Sequence, residues 1–274
     1  MKRKKIVATI QDIHDNVDQY LNYTTRLSKD YDFELELIAG APVIRATQTP
    51  TAIVGVGKLH PSQLLQSRTL DDRKSILDKR VSSLRKLYKN INYRVELGTL
   101  EDRISDDNLN REVVLSVVNQ KSKDNFFNQV FGTIETNISK NTVLPTLVIP
   151  DGYEYRKPKK LLMIINSAPD MNNVAIHNFI TNFDLEVTYV FQQDENTGQI
   201  KDMVDTLDCE FSDFNGQLKA FSLDNNGMNL DKLIEDSQPD WIGIKNYNKT
   251  VIERVYEVST NSLVLSSESP IIIF

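Results

Sequence analysis

The chain contains two series of segments that open and close in the same way. Lys4–Gln11 and Lys159–Asn166 each hold a pair of lysines, a short apolar run and a side-chain amide. Leu144–Ile149 and Ser269–Phe274 each hold a proline followed by a run rich in β-branched residues. A repeated opening and a repeated closing indicate two copies of one structural unit, which rules out a single, unrepeated architecture.

The segment between the two copies is rich in residues that interrupt regular structure. It contains Gly152 and Pro158, and such residues are typical of turns and linkers. A length of 274 residues also fits two domains, at roughly 100–200 residues for each. We therefore predict domain 1 over residues 1–150, a linker at 151–158 and domain 2 over residues 159–274.

Apolar runs alternate with helix-length segments in both copies. Val17, Leu21, Thr24, Leu27 and Tyr31 recur at helical spacing, whereas the proline- and glycine-rich stretch 41–62 predicts a loop insertion. Strands separated by helices favour right-handed crossovers and parallel pairing. The predicted fold class is therefore α/β, with two doubly wound, five-stranded, mostly parallel sheets in tandem. The predicted strands are 6–10, 35–39, 93–97, 113–118 and 146–149, then 161–165, 185–191, 218–223, 241–244 and 271–274.

Charge and cysteine usage exclude several classes of protein. Acidic residues outnumber Lys and Arg by 38 to 32, and the only basic cluster, Lys2–Lys5, is interpreted as a solvated start. That balance argues against a nucleic-acid partner. The single cysteine, Cys209, allows no intramolecular disulfide and fits a reducing cytoplasm. No apolar run approaches the roughly 18 residues of a membrane helix, so we expect a soluble cytoplasmic protein without a membrane partner.

Motifs for hydrolytic or metal chemistry are missing from the sequence. The three histidines lack the spacing of a metal site, and no Gly-x-Ser-x-Gly nucleophile motif occurs. We therefore expect no enzymatic activity and no bound metal. Gly132-Thr133, at the start of a predicted helix, leaves two interpretations open. It is a phosphate seat, where glycine permits close approach of the anion, or a turn glycine with a threonine helix cap.

The order and spacing of these segments resemble the universal stress proteins in their tandem-domain form. Gly132-Thr133 is followed, at the family spacing, by Pro145-Thr146-Leu147-Val148 at the last strand of domain 1. The resemblance covers both copies, and it implies a fold of the adenine-nucleotide alpha-hydrolase type. Family members that keep the complete motif bind ATP. The resemblance also implies that the segments 146–149 and 271–274 pair within the chain, so that the two domains form a pseudo-dimer.

Domain 1 departs from the family motif at several positions. Asn119 and Ser122 stand where the family has glycines, and Gln11, followed by Asp12, stands where the family has an acidic residue. The resemblance assigns nucleotide binding in domain 1 to Gln11, Asp12, Asn119, Ser122, Gly132 and Thr133. Because a serine side chain occupies space that the family leaves to phosphate, we expect at most weak binding of ATP or AMP.

Domain 2 has lost more of the motif. Asn166 replaces the acidic residue, and Glu257 and Val258 stand at the positions of the glycine and the hydroxyl residue. A carboxylate at Glu257 would repel phosphate, so no nucleotide is expected there.

The leading hypothesis is therefore a stress-response protein that acts by binding and regulation. The alternatives are a protein-interaction scaffold without a small-molecule site and, less favoured, a nucleotide-dependent enzyme. A homo-oligomer and an unidentified protein partner stay open.

Overall fold

The structure is a computed structural model, in which most of the predicted strands and three helices are described. Every statement about structure below refers to the described residues alone. The described residues are 3–10, 13, 17–41, 61–97, 112–120, 144–165, 174–192, 216–221, 234, 236–245 and 269–274.

The chain divides into two compact units, the first of which extends to Val118 and contains a parallel sheet. Its strands lie in the order β3-β2-β1-β4. In β1 and β2, Ile6 pairs with Leu35 and Ala8 with Leu37, and all four side chains are buried. The apolar runs that predicted strands therefore form the core of this unit. The strands are β1 (Lys5–Ile10), β2 (Glu34–Ala41), β3 (Ile91–Leu97) and β4 (Val113–Gln120).

Two helices follow the first two strands of this unit. Helix α1 (Asp18–Asp30) begins and ends within one residue of the predicted helical stripe, which runs from Val17 to Tyr31. Asp18 lies in its first turn and interacts favourably with the helix dipole. Helix α2 (Pro61–Leu84) begins within the stretch 41–62 that predicted a loop insertion. At its edges the predicted insertion overlaps β2, which includes Ala41, and α2, which begins at Pro61, and the loop itself stays a prediction. Residues 42–60 lie outside the described residues.

Helix α2 is fixed at two points by arginines that donate to backbone carbonyls. The Arg73 guanidinium donates to the Gly40 carbonyl at 2.6 Å, near the carboxyl end of β2. The Arg85 guanidinium donates twice to the Ile91 carbonyl, at 3.1 and 2.8 Å, where β3 begins. Among its residues with described side chains, only Leu77 and Val81 are buried. The helix therefore packs on the sheet through a narrow stripe and exposes most of its surface.

The second unit contains the strands from residue 144 onward, in the order β5-β10-β9-β6-β7-β8. Strands β5 and β10 pair antiparallel, with Leu147 opposite Ile272, and the other described strand pairs of this unit are parallel. The segments 146–149 and 271–274 therefore pair with each other inside this unit. The predicted pairing of two domains as a pseudo-dimer stays a prediction. The strands are β5 (Thr146–Pro150), β6 (Lys160–Ile165), β7 (Glu186–Gln192), β8 (Gly216–Phe221), β9 (Trp241–Ile244) and β10 (Ile271–Ile273).

These pairings change the predicted number of strands per unit. Each sheet was expected to hold five strands, but the described residues give four to the first unit and six to the second. The physical reason is that β5, the last strand of the first sequence copy, pairs antiparallel with β10 and so belongs to the second unit. The coarser prediction, an α/β fold with mostly parallel strands, is confirmed. The domain boundaries at residues 150 and 159 stay predictions about independent folding.

Aromatic rings fill the core of the second unit beneath α3 (Val174–Phe183). The Phe179 ring lies 4.7 Å from the Phe183 ring, 5.9 Å from the Trp241 ring and 5.2 Å from the Phe274 ring, between centroids. Beside them, a Cβ atom added to Gly243 would lie 2.5 Å from the Met163 sulfur. Strand β9 therefore has a glycine where its neighbours leave no room for a side chain.

The predicted linker contains no helix or strand. It begins with a turn at Asp151-Gly152, where glycine adopts a φ of 79°, a conformation that other residues rarely tolerate. At its far end the Asp240 carboxylate accepts hydrogen bonds from the backbone amides of Lys159 and Lys160, at 2.8 and 3.0 Å. Asp240 therefore fixes the point at which the chain enters β6.

Stability should fall at alkaline pH because of a buried tyrosine. Burial raises the pKa of Tyr189 from about 10 to about 12. The unfolded chain then loses this proton at a lower pH than the folded chain, so stability declines as the pH rises from about 10 to about 12. We expect denaturant midpoints measured across this range to fall less steeply for Tyr189→Phe than for the wild type. Parallel curves for the two proteins would contradict the assignment.

Candidate functional site

The first unit has a topological switch point between β1 and β4. Strands β2 and β3 lie on one side of β1, whereas β4 lies on its other side. In open α/β sheets, ligands bind outside the carboxyl ends of the strands at such a point, because the connections leave the two strands in opposite directions. The described ladder between these strands ends at Ala8 and Val117. The crevice of interest therefore begins just beyond these two residues.

Two hydroxyl groups meet one backbone carbonyl at this end of the ladder. Tyr20, in the first turn of α1, donates to the Val117 carbonyl oxygen at 2.8 Å, and Thr9 donates to the same oxygen at 3.3 Å. Tyr20 and Thr9 are 4% and 3% exposed. Burial raises the pKa of Tyr20 far above its ordinary value, partly offset by hydrogen bonds involving Thr9. The phenol therefore stays neutral and acts here as a hydrogen-bond donor.

Contacts along α1 hold Tyr20 in place. The Thr24 hydroxyl donates to the Tyr20 carbonyl at 3.1 Å, and Thr24 is fully buried. On the solvent side, the Arg80 guanidinium lies 3.1 Å from the Asp18 carboxylate and links α2 to α1. The pair is partly exposed, so its contribution is small. The start of α1 is thus fixed mainly by buried groups.

The second unit has its own switch point, between β6 and β9. Strands β7 and β8 lie on one side of β6, and β9 and β10 lie on the other. Lys245, directly after β9, is only 8% exposed. A nearly buried lysine side chain therefore lies at this carboxyl edge. Asn166 and Glu257, which argued against nucleotide here, lie outside the described residues.

Two absences concern only the part of the chain described above. Within it, His, Cys, Asp and Glu side chains form no group of three that could hold a metal ion. None of its helices is both long and apolar enough to cross a membrane.

The fold is identified by comparison with solved structures, because comparisons of the sequence found no match. No family model matches the chain, and no curated protein sequence matches it. A universal stress protein from Archaeoglobus fulgidus DSM 4304 has a similar structure, with a TM-score of 0.60 and 12% identity, covering 98% of this chain and 95% of that one. The chain has the universal stress protein fold.

Two further structures agree with this fold. A provisionally named universal stress protein from Pseudomonas aeruginosa UCBPP-PA14 gives a TM-score of 0.56 at 10% identity, covering 99% of this chain and 93% of that one. The cytoplasmic domain of a prokaryotic cation chloride cotransporter gives 0.51 at 8% identity, covering 99% and 95%. At such low identity the comparisons establish the fold alone. They confirm the resemblance to universal stress proteins at that level.

The structure places one of the six predicted site residues. Asn119 lies in β4, two residues beyond Val117, and is partly exposed. Gln11 and Asp12 directly follow β1 in sequence, two and three positions beyond Thr9. In sequence, these predicted ligand residues and Asn119 are therefore close neighbours of Thr9 and Val117, which the hydroxyl contact joins. The predicted site residues that lie outside the described residues are Gln11, Asp12, Ser122, Gly132 and Thr133.

Sequence reasoning did not single out Thr9 or Tyr20. Thr9 lies within an apolar run, and Tyr20 directly precedes Leu21 of the predicted helical stripe, so both resembled ordinary core residues. The sequence feature that could have indicated them is a pair of hydroxyl side chains, one before and one after the predicted ligand residues Gln11 and Asp12. Such groups need hydrogen-bond partners when they are buried.

Proposed function

We propose that the protein is a universal stress protein-like binding and regulatory protein of the cytoplasmic stress response. It consists of two tandem domains of the adenine-nucleotide alpha-hydrolase type. It binds adenine nucleotide, ATP or AMP, weakly in domain 1 and not in domain 2, and it catalyses no reaction. The observation that carries this proposal is a universal stress protein fold extending over essentially the whole chain.

The switch point of the first unit supports the location in domain 1. The carboxyl ends of β1 and β4 lie side by side, and the predicted ligand residues follow both strands. Parallel strands present their carboxyl ends at one edge, where a phosphate-bearing ligand meets backbone amides and helix starts. The serine and asparagine at the glycine positions explain why we propose weak binding.

A nucleotide titration tests this proposal. With a dissociation constant of about 10 μM, ATP at about 1 mM would stabilise the protein by about 2.7 kcal/mol. We expect less than about a third of that stabilisation, which corresponds to an affinity near millimolar. A melting temperature that rises by no more than about 2–4 °C with ATP would agree with this value.

Two variants of the titrated protein locate the site. Gly132→Glu places a carboxylate where phosphate is proposed to bind, so it should abolish the shift. Glu257→Gln, a change at the corresponding position of domain 2, should leave the shift intact. A full-sized shift that survives Gly132→Glu would place the nucleotide elsewhere and refute the proposed site.

A protein-interaction scaffold is the second candidate. The same fold occurs in the cytoplasmic domain of a prokaryotic cation chloride cotransporter, so it is compatible with a place in a larger assembly. An unchanged melting temperature with ATP, ADP and AMP, together with no nucleotide in mass spectra of the denatured protein, would favour this candidate. Release of AMP in the presence of magnesium would instead favour an enzyme.

A further inference from the structure

Tyr20 occupies an unusual position for a buried helix residue. Its ring comes from the first turn of α1, yet its hydroxyl reaches the backbone of β4, far along the chain, at 2.8 Å from the Val117 carbonyl oxygen. A buried phenol is stable only where its hydroxyl has a partner. This partner is a backbone atom, so the contact fixes the helix relative to the strand itself and not to a movable side chain.

The contact lies where the described ladder between β1 and β4 ends. The described pairing of β1 and β4 ends at Ala8 and Val117. Thr9, the next residue on β1, donates to the same carbonyl oxygen at 3.3 Å. One oxygen atom of β4 therefore joins the end of β1 to the start of α1, where the described pairing of β1 and β4 ends.

We propose that Tyr20 is a positioning residue for this crevice. By holding the first turn of α1 against β4 at Val117, it sets the position of α1 relative to the paired strands β1 and β4. The consequence for ligand affinity rests on the function proposed above, because predicted nucleotide residues directly follow β1 in sequence and Asn119 lies in β4. The positioning itself does not depend on nucleotide.

The substitution Tyr20→Phe isolates the hydrogen bond, because the ring and its packing remain. The Val117 carbonyl then keeps the hydroxyl donor from Thr9. Tyr23→Phe is the matched control, since it makes the same chemical change in the same helix at a side chain that is 1% exposed. Thr9→Val removes the other donor and serves as a second variant if Tyr20→Phe does not fold.

Hydrogen exchange on the full-length protein tests the positioning. In Tyr20→Phe, we expect amide exchange to rise about 3- to 10-fold in peptides covering the first turn of α1 and the carboxyl end of β4, as the loss of one hydrogen bond implies. Thr9→Val should raise exchange at the end of β4 in the same way, and Tyr23→Phe should leave it unchanged. A uniform rise across the first unit, or an equal rise in Tyr23→Phe, would overturn the proposal.

Titration of the same variants with ATP tests the consequence. Tyr20→Phe should weaken ATP binding about 3- to 10-fold relative to wild type, while Tyr23→Phe keeps the wild-type affinity at a comparable melting temperature. Unchanged affinity in Tyr20→Phe would refute the role at the site. If the wild type itself shows no response to ATP, the proposed function fails, and the exchange measurement alone decides whether Tyr20 positions the two strands.

Discussion

Phe179→Ala is expected to destabilise the second unit by about 3–5 kcal/mol, among the largest effects of any single substitution here. The Phe179 ring is 1% exposed and contacts the rings of Phe183, Trp241 and Phe274. Truncation would leave a cavity between α3 and β9 and would remove three aromatic contacts. The loss is measured as a shift of the urea midpoint, followed by the fluorescence of Trp241, the single tryptophan of the chain.

The same helix provides the control for this measurement. Asn178 neighbours Phe179 but is exposed, so Asn178→Ala should change the unfolding free energy by no more than about 0.5 kcal/mol. Circular dichroism gives a second midpoint that does not depend on the environment of Trp241. A loss below about 1 kcal/mol for Phe179→Ala would mean that the ring cluster is not a packed core.

Ile272→Ala should cost about 2–5 kcal/mol. Ile272 is fully buried at the centre of β10, paired with Leu147 of β5 on one side and with Gly243 of β9 on the other. Its side chain is therefore surrounded by a close-packed core that cannot collapse fully into the space left behind. Urea unfolding followed by Trp241 fluorescence measures the loss, and amide exchange of β5 should increase together with it.

A substitution of the adjacent residue distinguishes the loss of packing from the loss of β-propensity. Ile271 belongs to the same strand but is partly exposed, so Ile271→Ala should cost clearly less than Ile272→Ala. Both substitutions lower β-propensity to the same degree. Equal losses would show that the strand matters only through its backbone, and the predicted burial of Ile272 would then be wrong.

The strands could be predicted from sequence because burial on both faces leaves a continuous apolar run. Leu161–Ile165 and Trp241–Ile244 are buried at every position, and both were predicted to within one residue. Helix α2 could not be bounded in this way. Most of its described side chains are exposed, so a long polar stretch before Leu77 carried no periodic pattern, and Pro61 at the first helical position was interpreted as part of a loop.

The predicted ligand residues adjoin the first and fourth strands in sequence, and the structure pairs these two strands side by side. Nucleotide binding at this place stays a prediction. The shared carbonyl of Val117 could not be inferred, since Thr9 and Tyr20 come together only when α1 packs against β4. The burial of Lys245 could likewise not be inferred, because it depends on neighbouring strands that are distant in sequence.

The place of β10 between β5 and β9 has a consequence for synthesis of the chain. Strand β5 is made more than a hundred residues before β10, and β9 is also complete before β10 leaves the ribosome. Until then, β5 and β9 each present an unpaired edge, and such edges invite pairing with other chains. The second unit therefore cannot finish folding until β10 has left the ribosome. A nascent chain stalled before residue 271 should be the form that most needs a chaperone.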